Sequence, residues 1–351
     1  MAGTIGVGII GLGFMGRTHL GAIRAAEADG LPCRLVAVAD REAARLTGRS
    51  TVGGGGGNLR LGSGDQSLLF DPARVRAYDD AAALFADPGV SLVSICTHTD
   101  THVDLAVAAL RAGKHVLVEK PVSLRSGEVR RVAAEAARAD RLAMPAMCMR
   151  FWPGWAWLRE RVRDGSLGAV RSATFQRLGV APDWTPFYAD VERSGGPLFD
   201  LHIHDADFVR WCFGEPAEVV ATGSASHVTT LYRFGGSGGP AHVVAEGGQD
   251  LSPGFGFVMR YLVAFEAATA DFDLTRSPQV RLTRQGRAEA VEVPVLSAYD
   301  AEIRHMVGAI EAHGRGEKPT LRATMEDAAL TTALIEAERE SLRAGRPVRT
   351  S

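Results

Sequence analysis

The sequence has few cysteines, little net charge and no long apolar run. Its 351 residues carry 39 Lys and Arg against 41 Asp and Glu, which gives a formal net charge of −2. Because there is no basic excess to neutralise phosphates, the composition argues against an electrostatic nucleic-acid binder. A hydrophobic content of 46% argues equally against a disordered chain. The length and composition therefore predict a globular protein of two domains.

The four cysteines are Cys33, Cys96, Cys148 and Cys212, and no two of them form a CxxC pair. This spacing argues against a zinc site or a disulfide framework, and we expect buried thiols in a reducing compartment. The apolar run Ile5–Gly16 is similar to the core of a signal peptide, but no Lys or Arg precedes it and no small-residue cleavage site follows. No stretch approaches the roughly 20 apolar residues that span a bilayer. We expect a cytoplasmic protein with no membrane partner.

Short apolar runs alternate with helical patterns in the first third of the chain. This alternation predicts right-handed βαβ units and a parallel sheet. From about Phe151 the pattern changes, because the runs between Ala217 and Val295 have no intervening helices. That change predicts a mostly antiparallel sheet in a second domain, closed by helices at Ala298–His313 and Thr324–Ala344. The predicted class is α/β: a doubly wound, dinucleotide-binding domain over residues 1–148, then an α+β domain over 149–351. The main predicted elements of the first domain are strands at Thr4–Ile10, Arg34–Ala39, Ser91–Cys96, His115–Val118 and Leu142–Met149, and helices at Thr18–Ala28, Val103–Ala112 and Ser123–Asp140.

Five consecutive glycines, Gly53–Gly57, interrupt the first domain. We interpret them as a surface loop, since the segment has little apolar surface to bury. A phosphate cradle is the alternative, but the Lys-Ser/Thr pair and helix start that such a loop needs do not follow.

The run Gly11–Gly16 fits the G-x-G-x-x-G pattern and lies between a predicted buried strand and a helix, the context that a dinucleotide-binding turn requires. We expect the pyrophosphate of a dinucleotide at the start of this helix. Asp40 ends the second predicted strand, where a carboxylate binds ribose hydroxyls and repels a 2′-phosphate. This favours NAD, although Arg41 could pair with the phosphate of NADP. A ligand-free turn, and a helix cap at Asp40, are the alternatives. The cofactor-binding candidates here are Gly11, Gly13, Phe14, Met15, Gly16, Asp40 and Arg41.

Lys120 lies in the sequence Glu119-Lys120-Pro121, at the carboxyl end of a predicted parallel strand. Ligands bind at that edge of an open α/β sheet, and a lysine there could exchange a proton with a substrate hydroxyl. An exposed, inert lysine is the equally weighted alternative.

The run Gly195–Trp211 is the densest polar cluster, and its length up to Gly214 predicts a helix. On a helix, Asp200 and His204 share a face, where the carboxylate would orient the imidazole for proton transfer. His202 and His204 would diverge by about 200° on a helix, so a shared metal ion is disfavoured. Histidines hydrogen-bonded in a core are the remaining alternative.

These motifs, in this order, resemble the Gfo/Idh/MocA family of NAD(P)-dependent oxidoreductases, which includes inositol and glucose dehydrogenases. The most specific stretches are Ile95–His102 and Ala112–Pro121, with the Asp-x-x-x-His pair of Gly195–Trp211. The resemblance implies that Lys120 is the catalytic lysine, His204 the proton-transferring histidine and Asp200 its hydrogen-bonding partner. It also implies that Thr97, His98 and His102 lie along the nicotinamide, with Glu119 nearby. His98 departs from the family, which usually has proline there, and the Gly53–Gly57 insertion is another departure.

The resemblance implies a Rossmann domain and a second domain whose open sheet forms a subunit interface, hence a homodimer or homotetramer. It implies NAD-dependent oxidation of a secondary alcohol of a sugar or inositol-like polyol. We expect Lys120 and His204 to converge on one reactive carbon. Arg150, Trp152 and Trp184 are the substrate candidates, with core packing as the alternative for the tryptophans. A glycosidase that uses NAD transiently and a non-catalytic NAD-binding sensor remain open.

Overall fold

A computed structural model of the chain describes residues 3–49, 68–183, 185–235 and 239–350. The predictions for Gly53–Gly57 and Trp184 lie outside these residues. The chain divides into two compact units: a first unit of residues 1–147 and 298–329, and a second unit of residues 148–297 and 330–351. None of the described helices is long and apolar enough to cross a membrane.

The first unit is built on a parallel sheet, which confirms the predicted fold class. Its six strands within the described residues follow the order β3-β2-β1-β4-β5-β6, and every neighbouring pair is parallel. The strands are β1 (Ile5–Ile10), β2 (Cys33–Ala39), β3 (Arg76–Tyr78), β4 (Leu92–Ile95), β5 (His115–Glu119) and β6 (Ala143–Ala146). The helices are α1 (Phe14–Ala28), α2 (Ala81–Ala86), α3 (Thr99–Arg111) and α4 (Ser126–Ala139).

The strand order reverses direction next to β1, because β2 lies on one side of it and β4 on the other. β1 is buried along its whole length, as are β4, β5 and β6. This burial explains why these strands are mostly apolar rather than alternating in sequence. The carboxyl ends of β1 and β4 flank the reversal, and ligands bind there in doubly wound sheets.

The second unit contains the other sheet, which is mixed and mostly antiparallel, as predicted. Its nine strands within the described residues follow the order β14-β13-β12-β11-β7-β10-β9-β8-β15, and of these pairs β7 and β10 run parallel. The strands are β7 (Val170–Leu178), β8 (Glu218–Gly223), β9 (His227–Arg233), β10 (His242–Gly248), β11 (Val258–Phe265), β12 (Thr269–Asp273), β13 (Val280–Arg284), β14 (Arg287–Ala290) and β15 (Val348–Arg349). The second unit also contains the helices α5 (Pro153–Asp164), α6 (Val191–Ser194) and α7 (Ile203–Phe213).

Aromatic side chains form the core of the second unit around Trp155, which is fully buried. Its ring meets Phe208 edge-on at 4.8 Å and Tyr261 edge-on at 5.4 Å between centroids. The Tyr261 hydroxyl donates to the backbone oxygen of Gly154, which satisfies the buried phenol. These contacts fix α5 and α7 on the inner face of the sheet.

The last two helices are α8 (Ala298–Gly314) and α9 (Met325–Ala344). The structure places α8 in the first unit, whereas the sequence analysis assigns it to the second domain. The reason is that α8 buries Ile303, Met306 and Val307 and packs on α1, a contact between segments far apart in sequence. The predicted boundary at residue 148 stays a prediction.

Candidate active site

The turn between β1 and α1 has the geometry that its glycines suggest. Gly11 has a φ of +86°, and a Cβ atom there would lie 2.7 Å from the Cys96 carbonyl oxygen. At Gly16 a Cβ atom would lie 1.8 Å from the Gly11 carbonyl oxygen. A side chain is therefore sterically excluded at both positions.

Gly13 serves a different purpose, because a Cβ atom there would meet nothing within 4 Å. It precedes α1, and no side chain caps the first turn of that helix. Phe14 and Met15 follow it and are half-buried. Uncapped amide groups beside open space are suited to an anion. These features fit the pyrophosphate of a dinucleotide.

Asp40 lies just beyond β2 and is buried. Its Oδ2 accepts hydrogen bonds from the Leu12 amide at 2.7 Å and from Arg45 at 3.3 Å, and its Oδ1 accepts from the Glu42 amide at 2.9 Å. The carboxylate therefore anchors the glycine turn as well as its own loop. Arg41 is exposed. Arg45 is a neighbour that the sequence analysis missed, because it matches no motif.

The loops after β4 and β5 are joined by His102. Its ring is 1% exposed, with Nδ1 2.9 Å from the Pro121 carbonyl oxygen and Nε2 3.0 Å from the Thr97 carbonyl oxygen. Burial lowers the pKa of His102, although both carbonyls favour its protonated form. The structure thus gives His102 a role in holding the two loops together.

Thr97 and His98 form the loop between β4 and α3. The Thr97 and Thr101 hydroxyls are 2.7 Å apart. His98 is exposed and has φ −76° and ψ 148°, a conformation that proline also adopts. The departure from the family's usual proline therefore leaves the backbone of this loop in a proline-compatible shape.

Glu119 and Lys120 follow at the carboxyl end of β5. The Glu119 carboxylate is buried, and its Oε2 accepts a hydrogen bond of 3.1 Å from the Lys120 amide. Lys120 is half-exposed. Its Cα is thus held at the sheet edge that also carries the glycine turn, within the same unit.

Asp200 and His204 belong to the second unit. The predicted helix is present, but its first turn, Leu198–His202, is π-helical and leads into α7, which ends before Gly214. Both side chains are half-buried. Such wide turns occur frequently at functional sites.

The partners of this pair come from distant segments. The Asp200 Oδ2 accepts a hydrogen bond of 2.8 Å from the Gln249 side-chain amide, and the His204 Nδ1 lies 3.9 Å from the Cys148 sulfur. Sequence reasoning missed Gln249 and Cys148, because no spacing signal links segments so far apart. Gln249 follows β10, which the fold brings beside the π-helical turn.

His202 has a different environment from His204. It is fully buried, with Nε2 3.1 Å from the Tyr232 hydroxyl and 2.8 Å from the Glu338 carboxylate. Burial opposes its charged form, but Glu338 raises the pKa of His202 overall. In the part of the chain that the structure describes, no group of three or more His, Cys, Asp and Glu side chains is arranged to hold a metal ion.

Arg150, a substrate candidate, lies in the interior of the second unit. It is 1% exposed, and its Nε and Nη2 donate to the two Asp207 oxygens at 2.8 and 2.7 Å. Thr331 also donates to Asp207, at 3.0 Å. The geometry favours a structural role for this guanidinium. Trp152 is half-buried at the start of α5.

Segments of both units match known protein families. Residues 5–147 match the family described as "Oxidoreductase family, NAD-binding Rossmann fold", and residues 155–250 match "GFO/IDH/MocA C-terminal domain".

The chain is also similar to individual proteins of known name. The chain is 36% identical to myo-inositol 2-dehydrogenase of Thermotoga maritima over 150 residues, 42% of this chain and 44% of that protein. It is 32% identical to inositol 2-dehydrogenase of Rhizobium meliloti over 220 residues, 62% of this chain and 58% of that protein. The chain thus spans about half the length of the curated relatives it matches. The structure of aldose-aldose oxidoreductase from Caulobacter crescentus, 22% identical, superposes over 99% of both chains with a TM-score of 0.80, which shows the fold.

Proposed function

Because the chain belongs to the Gfo/Idh/MocA family of NAD-binding oxidoreductases, we propose that it transfers hydride between NAD and a secondary alcohol of a sugar or cyclic polyol. One observation carries the proposal: the uncapped glycine turn, the Asp40 carboxylate and Lys120 all follow carboxyl ends of strands in one parallel sheet. An inositol-like polyol is the favoured substrate, since two relatives are named inositol 2-dehydrogenases.

The first unit has the groups that a dinucleotide needs. The amides of Phe14 and Met15 would bind the pyrophosphate, and Asp40 would accept hydrogen bonds from the adenosine ribose. Thr97 and His98 would contact the nicotinamide half. When bound, NAD accepts the hydride that leaves the carbinol carbon. We favour NAD over NADP because a buried carboxylate repels a 2′-phosphate, although Arg41 and Arg45 lie close to that carboxylate in the chain.

Proton transfer falls to Lys120 and His204 in this proposal. The amine of Lys120 takes the hydroxyl proton of the substrate as the carbonyl forms, and His204 exchanges that proton with solvent. Asp200, held by Gln249 at 2.8 Å, keeps the imidazole oriented. Positioned proton transfer of this kind is typically worth about 10²–10⁴-fold in rate.

A panel of inositols, aldoses and their glycosides, each supplied with NAD, tests the proposal. Net formation of NADH with a free polyol supports the dehydrogenase. Release of an aglycone without net NADH contradicts it and identifies an NAD-dependent glycosidase. Tight NAD binding with neither signal identifies a non-catalytic sensor.

We also propose that the chain forms a homodimer or homotetramer through the outer face of the nine-stranded sheet. Along β11 the buried side chains alternate with exposed ones, and Leu262 on the outer face is 54% exposed. An apolar side chain in mid-strand is suited to burial against a second copy. Light scattering at micromolar concentration should give a multiple of 37.3 kDa, whereas a strict monomer contradicts this proposal.

A further inference from the structure

A buried histidine contacts Glu119, the residue that precedes Lys120. It belongs neither to the glycine motif nor to the proposed mechanism. His19, on α1, is fully buried in the first unit. Its Nδ1 lies 2.8 Å from the Ser94 hydroxyl on β4, and its Nε2 lies 3.0 Å from the Glu119 Oε1 on β5. Both ring nitrogens are therefore engaged, and the ring has one orientation.

The surroundings of His19 favour its charged form. Burial by itself lowers the pKa of His19, but Cys96 and Glu119 raise the pKa well above its usual value. Two more groups face it from α8: the Tyr299 ring, 6.5 Å away between centroids, and the Glu302 carboxyl. Burial raises the pKa of Glu302 to about 8, so near pH 7 Glu302 is mostly uncharged, and Glu119 is the carboxyl group that is hydrogen-bonded to His19.

The two carboxylate oxygens of Glu119 have different hydrogen-bond partners. Oε1 meets His19, and Oε2 accepts the 3.1 Å hydrogen bond from the Lys120 amide. A carboxylate held at one oxygen by a fixed ring presents its other oxygen in a fixed direction. A short chain of contacts thus runs from α1 through Glu119 to the backbone that carries the Lys120 amine.

We propose that His19 is a positioning residue that fixes the Glu119 carboxylate and, through it, the backbone of Lys120. This inference rests on the proposed function for the role of the Lys120 amine, but the link from His19 to the Lys120 amide is a property of the free protein. Losing the link should displace the amine, and a displacement of about 1 Å at a reacting group costs roughly 10²-fold in rate.

Two amide variants separate this role from simple packing. In His19→Gln the side-chain nitrogen reaches the place of Nε2 and can still donate to Glu119, whereas the shorter chain of His19→Asn ends near Nδ1 and cannot. Both side chains are neutral amides that differ by one methylene, so they form a matched pair. His115→Gln, a buried histidine at the other end of β5, is the control for loss of a buried imidazole.

The readout is hydrogen exchange of the Lys120 amide in protein labelled with [¹⁵N]lysine. The sequence has three lysines, Lys114, Lys120 and Lys318, so the spectrum is simple. The Lys114 amide, bonded to Ala109 at 3.0 Å, is the internal reference. Losing a hydrogen bond to a charged group removes a substantial part of the protection of an amide from exchange. The Lys120 amide should therefore exchange roughly tenfold faster in His19→Asn and at nearly the wild-type rate in His19→Gln.

Equal exchange of the Lys120 amide in folded His19→Asn and wild type contradicts the inference. If neither amide variant folds, Ser94→Ala removes the other partner of the ring and should still speed the exchange. A wild-type rate in that variant also contradicts the inference.

Turnover gives the second readout. With an identified polyol, His19→Asn should lower kcat while the Kd for NADH stays at the wild-type value, and His19→Gln should restore kcat. An equal loss in both variants, together with lost NADH binding, contradicts the inference. If wild-type protein oxidises no polyol, the proposed function fails, and the amide-exchange result still decides the role of His19.

Discussion

The carboxylate of Asp40 accepts a 2.7 Å hydrogen bond from the backbone amide of Leu12. The residue that ends one strand therefore holds the glycine turn that follows the neighbouring strand. The Asp40 side chain therefore connects the turn that would bind the pyrophosphate of a dinucleotide to the strand end that would bind the adenosine ribose.

Replacing Asp40 should weaken cofactor binding. Asp40→Ala removes the anchor of the turn and the ribose acceptor together, and hydrogen bonds to a charged group are worth about 1.5–3 kcal/mol. We expect the Kd for NADH to rise roughly 10- to 100-fold, measured by fluorescence titration. Asp79→Ala, at an exposed aspartate of the same unit, should leave the Kd unchanged. Wild-type affinity in Asp40→Ala would show that the carboxylate does not contact the ribose.

The charge of Asp40 should set the preference between cofactors. Asp40→Asn keeps an oxygen that can accept from the Leu12 amide but removes the negative charge that repels a 2′-phosphate. We expect the ratio of the Kd for NADPH to the Kd for NADH to fall in this variant. An unchanged ratio would mean that another group discriminates between the two cofactors.

Arg150 should matter for stability more than for substrate binding. Breaking a buried ion pair from one side leaves an uncompensated charge and costs about 3–5 kcal/mol. Arg150→Met should therefore lower the free energy of unfolding in urea by that order, and the double variant Arg150→Met/Asp207→Leu should recover part of the loss. Arg163→Met, at an exposed position of α5, is the control. If Arg150→Met instead keeps its stability and raises the KM for the polyol, Arg150 contacts substrate.

Glu302 should make stability depend on pH. Burial raises its pKa from 4.5 to about 8, and both carboxylate oxygens lack a hydrogen-bond partner. Between these values the folded state keeps a proton that the unfolded chain releases. The contribution of Glu302 to the free energy of unfolding is therefore largest below pH 4.5 and falls by about 1.4 kcal/mol per pH unit as the pH rises toward 8.

Glu302→Gln removes this titration. The free energy of unfolding of the variant minus that of wild type should become more positive between pH 5 and pH 8, measured by urea titration. Glu192→Gln, at an exposed position, should show no such trend. A difference that is the same at every pH would mean that Glu302 is ionised in the folded protein.

The parallel sheet could be predicted from the sequence because its signals are local. The buried strand β1 is a continuous apolar run, β5 has an apolar centre at Val116–Val118, and Gly11 and Gly16 mark the turn that a side chain would obstruct. The short elements β3 and α2 could not be predicted, since three and six residues carry too little periodicity. The position of α8 on α1 could not be predicted either, because helix periodicity identifies an apolar face but not its partner.

The candidate site residues stay predictions, and they rest on signals that are local in the same way. Lys120 and Asp40 follow from their places at strand ends, and Asp200 and His204 from helix spacing. The hydrogen bonds of His19 to Ser94 and Glu119 join three separate elements, and no spacing rule connects them. The role of Arg150 in substrate binding stays a prediction, and its buried partner Asp207 could not be predicted, because it lies 57 positions further along the chain.

The proposed chemistry depends most on the Lys120 amine and the His204 imidazole. The most direct measurement is the single-turnover rate of NADH formation from the polyol that the substrate panel identifies, for Lys120→Ala and His204→Ala, with exposed Lys318→Ala and His242→Ala as controls. We predict that each of the first two loses about 10²–10⁴-fold in rate while the Kd for NADH stays at the wild-type value. Near-wild-type rates in either variant contradict the role assigned to that residue.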